Sequence, residues 1–124
     1  MNGYNSDMTR TFAVGYATDK MRLVYQTVLD AQSAGIEAFA EGKTGIEVDC
    51  AAREVIEKAG FGPYFGHGLG HSLGLEIHEN PRANRTYEGR FRQGHVITVE
   101  PGIYIPGEFG VRIEDMVYLS LRER

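Results

Sequence analysis

Gly66-His67-Gly68-Leu69-Gly70-His71-Ser72-Leu73-Gly74-Leu75-Glu76-Ile77-His78-Glu79 holds three of the chain's four histidines, with glycines interleaved. His67 and His71 stand four apart, the spacing of the helical HExxH zinc motif. Gly68 and Gly70 between them, and no Glu directly after His67, argue against a helix. Glycines at this density let backbone approach backbone or a ligand closely. Imidazole is the commonest metal ligand and proton-transfer group. The stretch therefore marks both a change of secondary structure and a candidate site.

Upstream of it the periodicity is helical. Met21, Val24, Val28, Ala31, Gly35 and Phe39 form one apolar stripe, which predicts a helix over about Lys20 to Ala40, capped by Thr18 or Asp19 and ended by Gly42. Thr44-Gly45-Ile46-Glu47 has the form of a capping box. It opens a second helix with the stripe Val48, Ala51, Ala52, Val55, Ile56 and Ala59, stopped by Gly60. Further upstream, Tyr4 to Val14 alternates as a strand, with Asn5, Asp7, Thr9 and Thr11 on one face. Downstream of Phe61, short apolar runs at Leu73 to Ile77, Val96 to Val99, Ile103 to Ile105 and Val111 to Leu119 are punctuated by Pro101-Gly102, Pro106-Gly107 and Gly110. Strands, two helices, then strands again predict an α+β domain, its helices on one face of a mostly antiparallel sheet.

Period two also sorts the acidic residues. Glu100 shares a face with Thr98. Arg112, Glu114, Met116 and Tyr118 share another, opposite Val111, Ile113, Val117 and Leu119. Each strand thus sends a carboxylate to its less apolar side, and if those sides coincide, Asp7, Glu100 and Glu114 converge. Carboxylates held together repel unless a cation joins them. Oxygen ligands with one imidazole suit manganese, cobalt, iron or catalytic zinc. Any one of these acids alone is ordinarily a solvated strand residue; the ordered set is harder to explain that way. Cys50, His95 and the loop Arg82 to Arg92 read as structural or solvated.

Composition narrows the alternatives. A length of 124 residues predicts one domain, and 42% hydrophobic content suffices for a core. A net charge of −4 without a basic patch makes nucleic acid an unexpected partner. No apolar run reaches membrane-span length, and the N-terminus lacks signal-peptide character. A lone cysteine fits a reducing, cytoplasmic setting.

The segments Asn2 to Phe12, Gly66 to His71, His78-Glu79-Asn80-Pro81-Arg82, Thr98 to Tyr104 and Val111 to Asp115 together resemble the pita-bread metallopeptidases. The resemblance is strongest to the Xaa-Pro branch, prolidase and aminopeptidase P. It implies a curved, mostly antiparallel sheet and a site for two divalent ions (Mn, Co, Zn or Fe). Asp7, His71, Glu100 and Glu114 match ligands. His67 and His78 match non-ligand histidines, and Glu100 would also handle the proton of a metal-bridged hydroxide that attacks an X-Pro peptide bond. Arg112 and Thr9 would orient the ligands, and Arg82 would bind a substrate carboxylate. The family's first aspartate ligand precedes the second by eleven residues, ahead of Met1. Residues 1–124 are thus expected to be the C-terminal part of the catalytic domain, with the ligand set incomplete or empty in this chain and an exposed sheet edge favouring a homo-oligomer. The substrate implied is a peptide with proline second. The alternative is a non-catalytic fragment or binding module of the same fold. Metal-free creatinase-like members and methionine aminopeptidases match less well.

Overall fold

A computed structural model describes residues 2–120 of the chain. Two helices come first, α1 (Asp19–Ala38) and α2 (Gly45–Lys58), followed by β1 (Gly70–Ser72), β2 (Glu79–Ala83), β3 (Val96–Val99), β4 (Gly102–Ile105), β5 (Phe109–Arg112) and β6 (Asp115–Tyr118). The caps are local chemistry. Thr18 accepts from the Met21 amide, and Thr44 accepts from the Glu47 amide while the Glu47 carboxylate takes the Thr44 N–H.

The strands form a four-stranded sheet in the order β2-β1-β3-β6 and a β4-β5 hairpin, every pairing antiparallel. The helices pack on each other and, from one side, against the strands. Val24, Val28 and Ala31 of α1 and Val48, Ala52 and Ile56 of α2 are buried with Ile97 and Val99 of the sheet and Ile103 and Val111 of the hairpin, alongside Phe65, Leu69 and Phe91. Gly35 explains how closely α1 can lie: a Cβ there would come within 2.9 Å of Leu69 Cδ2 and 3.2 Å of Val99 Cγ1. No described helix is long and apolar enough to cross a membrane.

Four expectations from the sequence need correction. Leu73 to Ile77 is a turn between β1 and β2, not a strand. Its polar backbone groups are taken up by side chains: distant Asn5 Nδ2 donates to the Gly74 and Leu75 carbonyls, and the nearby Glu79 carboxylate accepts from the Glu76 amide. Tyr4 to Val14 is extended but makes only the Thr9–Glu114 bridge rather than a full ladder. Val111 to Leu119 is split into β5 and β6, because the chain passes there from the hairpin into the larger sheet. Arg82 to Arg92 is not all loop, since Arg82 and Ala83 belong to β2. Along the extended segment Phe12, Val14 and Tyr16 are exposed.

Candidate metal centre

Three polypeptide segments and one turn of strand meet on the sheet face turned away from the helices. The Thr9–Glu114 bridge lays the first segment along the residues that join β5 to β6, which puts Asp7 over the sheet. Glu100 follows β3 directly, and its amide donates to the Leu69 carbonyl at 2.8 Å. That bond ties it to the strand carrying His71. The result is a group of potential ligand atoms from Asp7, His71, Glu100 and Glu114, all within 4.8 Å of one another.

The imidazole of His71 is oriented by its own strand. Nδ1 lies 3.0 Å from the Ser72 carbonyl, which can only accept, so Nδ1 carries the proton. The lone pair of Nε2 then faces the carboxylates, 3.4 Å from Glu100 and 3.7 Å from Asp7. A carbonyl fixing the tautomer from behind is the usual support of a ligating histidine. Glu114 is held as firmly. Its Oε1 accepts from Thr9 Oγ1 at 2.6 Å, and Arg112 Nε donates to that same hydroxyl at 3.3 Å. Thr11 continues the clamp by donating to the Arg112 carbonyl and accepting from its amide.

Glu100 Oε2 and Glu114 Oε2 are buried with no hydrogen-bond partner. A buried carboxylate oxygen left unpaired is costly unless a cation takes it. Burial, and next the facing Glu114, push the Asp7 carboxyl above the ordinary carboxylate range. Burial, with Glu100 adding, pushes Glu114 up against the pull of Thr9. Hard oxygen donors plus one imidazole nitrogen therefore fit a divalent ion, on the grounds of both the orphaned oxygens and the donor chemistry.

The sign of the pH dependence follows. A carboxyl whose pKa is higher folded than unfolded adds no penalty below the unfolded value and its full penalty above the folded one. Asp7 and Glu114 should thus subtract from the stability of the metal-free protein as pH rises from about 4, the ordinary carboxylate value, through their raised values. Glu114→Gln keeps the acceptor for Thr9 and removes one charge. In EDTA it should melt about 3 °C higher at neutral pH, with a flatter dependence on pH, for a relief of roughly 1 kcal/mol. Calorimetric melts across this range check it, and a lower melting temperature at every pH would contradict it.

The remaining expected site residues fall nearby in different ways. The His78 ring lies 4.3 Å from that of His71, tilted by 54°, and is exposed. Arg82 is the β2 partner of His71, so both project from the same face, and its Nε donates to Asn80 Oδ1. His67 is turned aside: its Nδ1 donates to the Gly68 carbonyl, and its Nε2 takes the Tyr104 hydroxyl at 2.7 Å. Tyr104 escaped the sequence reading. The signal was present, because Tyr104 sits between Ile103 and Ile105 with Gly110 as its partner on β5, which leaves its ring room on the polar face. Burial pushes its phenol up and Arg112 draws it partly down. Asp49 and Arg53 were also missed, buried in α2 among residues read as its apolar stripe.

Residues 1–120 match the model of metallopeptidase family M24. The chain is 52% identical over 119 residues to an Xaa-Pro dipeptidase of Pyrococcus furiosus, covering 96% of this chain and 34% of that protein. It is 49% identical over 118 residues to an Xaa-Pro dipeptidase of Lactobacillus delbrueckii, covering 95% of this chain and 32% of the relative. Among solved structures it superposes on the prolidase from Pyrococcus furiosus with a TM-score of 0.94 at 52% identity, over 96% of this chain and 35% of that one. An aminopeptidase from Pseudomonas aeruginosa gives a TM-score of 0.84 at 27% identity, over 97% of this chain and 34% of that one. The chain therefore spans about a third of the length of the relatives it matches.

Proposed function

This chain belongs to metallopeptidase family M24, and from that premise we propose that its full-length gene product hydrolyses Xaa-Pro peptide bonds. Residues 1–124 would supply the C-terminal part of the catalytic domain. Asp7, His71, Glu100 and Glu114 would hold a pair of divalent cations, manganese, cobalt, zinc or iron. The observation that carries the reading is their convergence within 4.8 Å around carboxylate oxygens that have no other partner. The Xaa-Pro dipeptidases among the relatives support the substrate class.

When bound, such cations polarise a scissile carbonyl and make hydroxide available at neutral pH. The chain's own residues do the rest. Glu100, beside His71, accepts the proton of the attacking water and is positioned to return it to the leaving nitrogen. The exposed His78 ring, tilted against that of His71, donates toward the oxyanion as it develops. His67, tethered by Tyr104, lines the approach. Arg112 acts through Thr9 to keep Glu114 aimed. Arg82, on the face of β2 beside His71, offers a fork to the carboxylate of a short peptide. The setting is cytoplasmic, the partners are peptides with proline second rather than nucleic acid or membrane, and the protein self-associates.

The test is cleavage of an Xaa-Pro dipeptide and its Xaa-Ala counterpart by the full-length gene product with manganese. The reading expects cleavage of the first, little of the second, and loss of both with EDTA. A manganese-loaded protein that binds the proline peptide and leaves it intact would make this chain a binding module instead.

A further inference from the structure

Asp49 and Arg53 stand one turn apart on α2 and are both buried, their side chains 2% and 7% exposed. Arg53 Nε and Nη2 donate to the two Asp49 oxygens at 2.9 and 3.1 Å. Its remaining donors leave the helix. Nη1 reaches the Phe65 carbonyl at 2.9 Å, and Nη2 the His67 carbonyl at 2.8 Å. Asp49 Oδ1 in turn accepts from the Leu69 amide at 2.9 Å. The guanidinium lies over the Phe65 ring, 4.1 Å from its centroid.

The three backbone groups taken are at residues 65, 67 and 69. The chain bends at His67 and Leu69 just ahead of β1, so this segment is not a regular strand. From the flank of α2 the pair supplies two donors and one acceptor to the main chain of this irregular segment, which has no strand of its own to hold it. The next residue, Gly70, opens β1, and the one after it is His71. Leu69 is held from both sides, since its carbonyl receives the Glu100 amide. A bland ion pair would need neither the fork nor this register.

We infer that the Asp49–Arg53 pair is a positioning device for the metal centre, setting the register of Phe65–Leu69 and through it the placement of His71 and His67. This rests on the proposed metallopeptidase reading. Neither residue touches the cluster; both act through backbone. Lysine at 53 keeps the charge but cannot grip two carbonyls and a carboxylate at once, because it is a point charge and not a planar fork. An apolar pair of similar volume removes the grip without leaving a buried charge unpaired.

The experiment compares wild type, Arg53→Lys and the paired Asp49→Leu/Arg53→Met variant in the full-length gene product. It reads melting temperature, manganese affinity by calorimetry, exchange of the Leu69 amide in the metal-free protein, and kcat and KM on an Xaa-Pro dipeptide. Both variants should stay folded, exchange the Leu69 amide faster, and bind manganese about 10- to 100-fold more weakly, the range typical when support behind a ligand is lost. kcat should fall by a similar factor with KM moved less than about threefold. A folded paired variant with wild-type manganese affinity and kcat overturns the inference. So does failure of both variants to fold, because the pair would then serve the fold alone. If wild type binds manganese but cleaves no Xaa-Pro peptide, the activity reading fails while the affinity and exchange arms still decide the role of the pair.

Discussion

His71→Ala should leave a folded protein that binds manganese at least about a hundredfold more weakly and has lost metal-dependent Xaa-Pro cleavage by a thousandfold or more. The magnitude follows from the loss of metal catalysis, which is several kcal/mol, each 1.4 kcal/mol being tenfold. His71 is the sole nitrogen donor in the cluster. Its removal leaves three carboxylates facing each other across a gap, a set that repels itself and holds a cation only loosely. The fold should survive. The His71 amide, not its ring, makes the bond to Thr98 Oγ1 at 3.1 Å, and the ring contributes one hydrogen bond to the Ser72 carbonyl. Because the ring is buried, its loss also leaves a cavity, and the stability cost is about 2–3 kcal/mol. Calorimetric manganese titration, peptide turnover and a thermal melt read the three quantities separately. Retained turnover with manganese by a folded His71→Ala protein would refute the ligand assignment.

Gly70→Ala should have the opposite profile, with stability failing first. A Cβ built on Gly70 falls on the Thr98 carbonyl oxygen of the neighbouring strand and only 2.7 Å from its carbonyl carbon. Thr98 is fully buried in β3, between β1 and β6, so neither side can give way cheaply. Strands β1 and β3 must part, and the contacts that cross there part with them: Leu69 carbonyl to Glu100 amide, and His71 amide to Thr98 hydroxyl. Overpacking of a tight interior costs about 1–3 kcal/mol, and a backbone clash lies at or beyond the upper end. We expect a loss of more than about 3 kcal/mol, a melting temperature lower by roughly 10 °C or more, and weaker manganese binding in whatever remains folded. Urea unfolding of the metal-free protein checks the first figure. An alanine variant within 1 kcal/mol of wild type would mean that β1 and β3 do not approach as described.

The contrast separates two jobs done by neighbouring residues of one motif. The side chain at 71 serves the cluster, and the missing side chain at 70 lets the strand carrying it lie against the strand leading to Glu100. Reading the interleaved glycines as sites of close backbone approach holds for Gly68 and Gly70 and not for Gly66, which faces open space. It could not say which glycine was critical, because that depends on what lies across the sheet.

What lies close in the chain was legible from the sequence. The helix starts at Thr18 and Thr44 are short-range hydrogen bonds, and the stripes of α1 and α2 are a matter of period, so both helices could be read directly. The alternation around Glu100 and Glu114 likewise pointed both acids away from the apolar side, although Glu100 follows β3 and Glu114 lies between β5 and β6 rather than within a strand. The convergence of these acids with Asp7 and His71 required the sheet order, which joins residues more than ninety positions apart through one bridge at Thr9 and Glu114. The turn at Leu73 to Ile77 shows a related limit: its apolar residues look like a strand, but distant Asn5 and local Glu79 satisfy its backbone. Asp49 and Arg53 show the limit most clearly. On a helical wheel they are polar residues at the margin of an apolar stripe. Only folding reveals that their partners are three backbone groups of the segment leading to His71, because hydrogen bonds to main chain leave no mark in the identity of the residues that receive them.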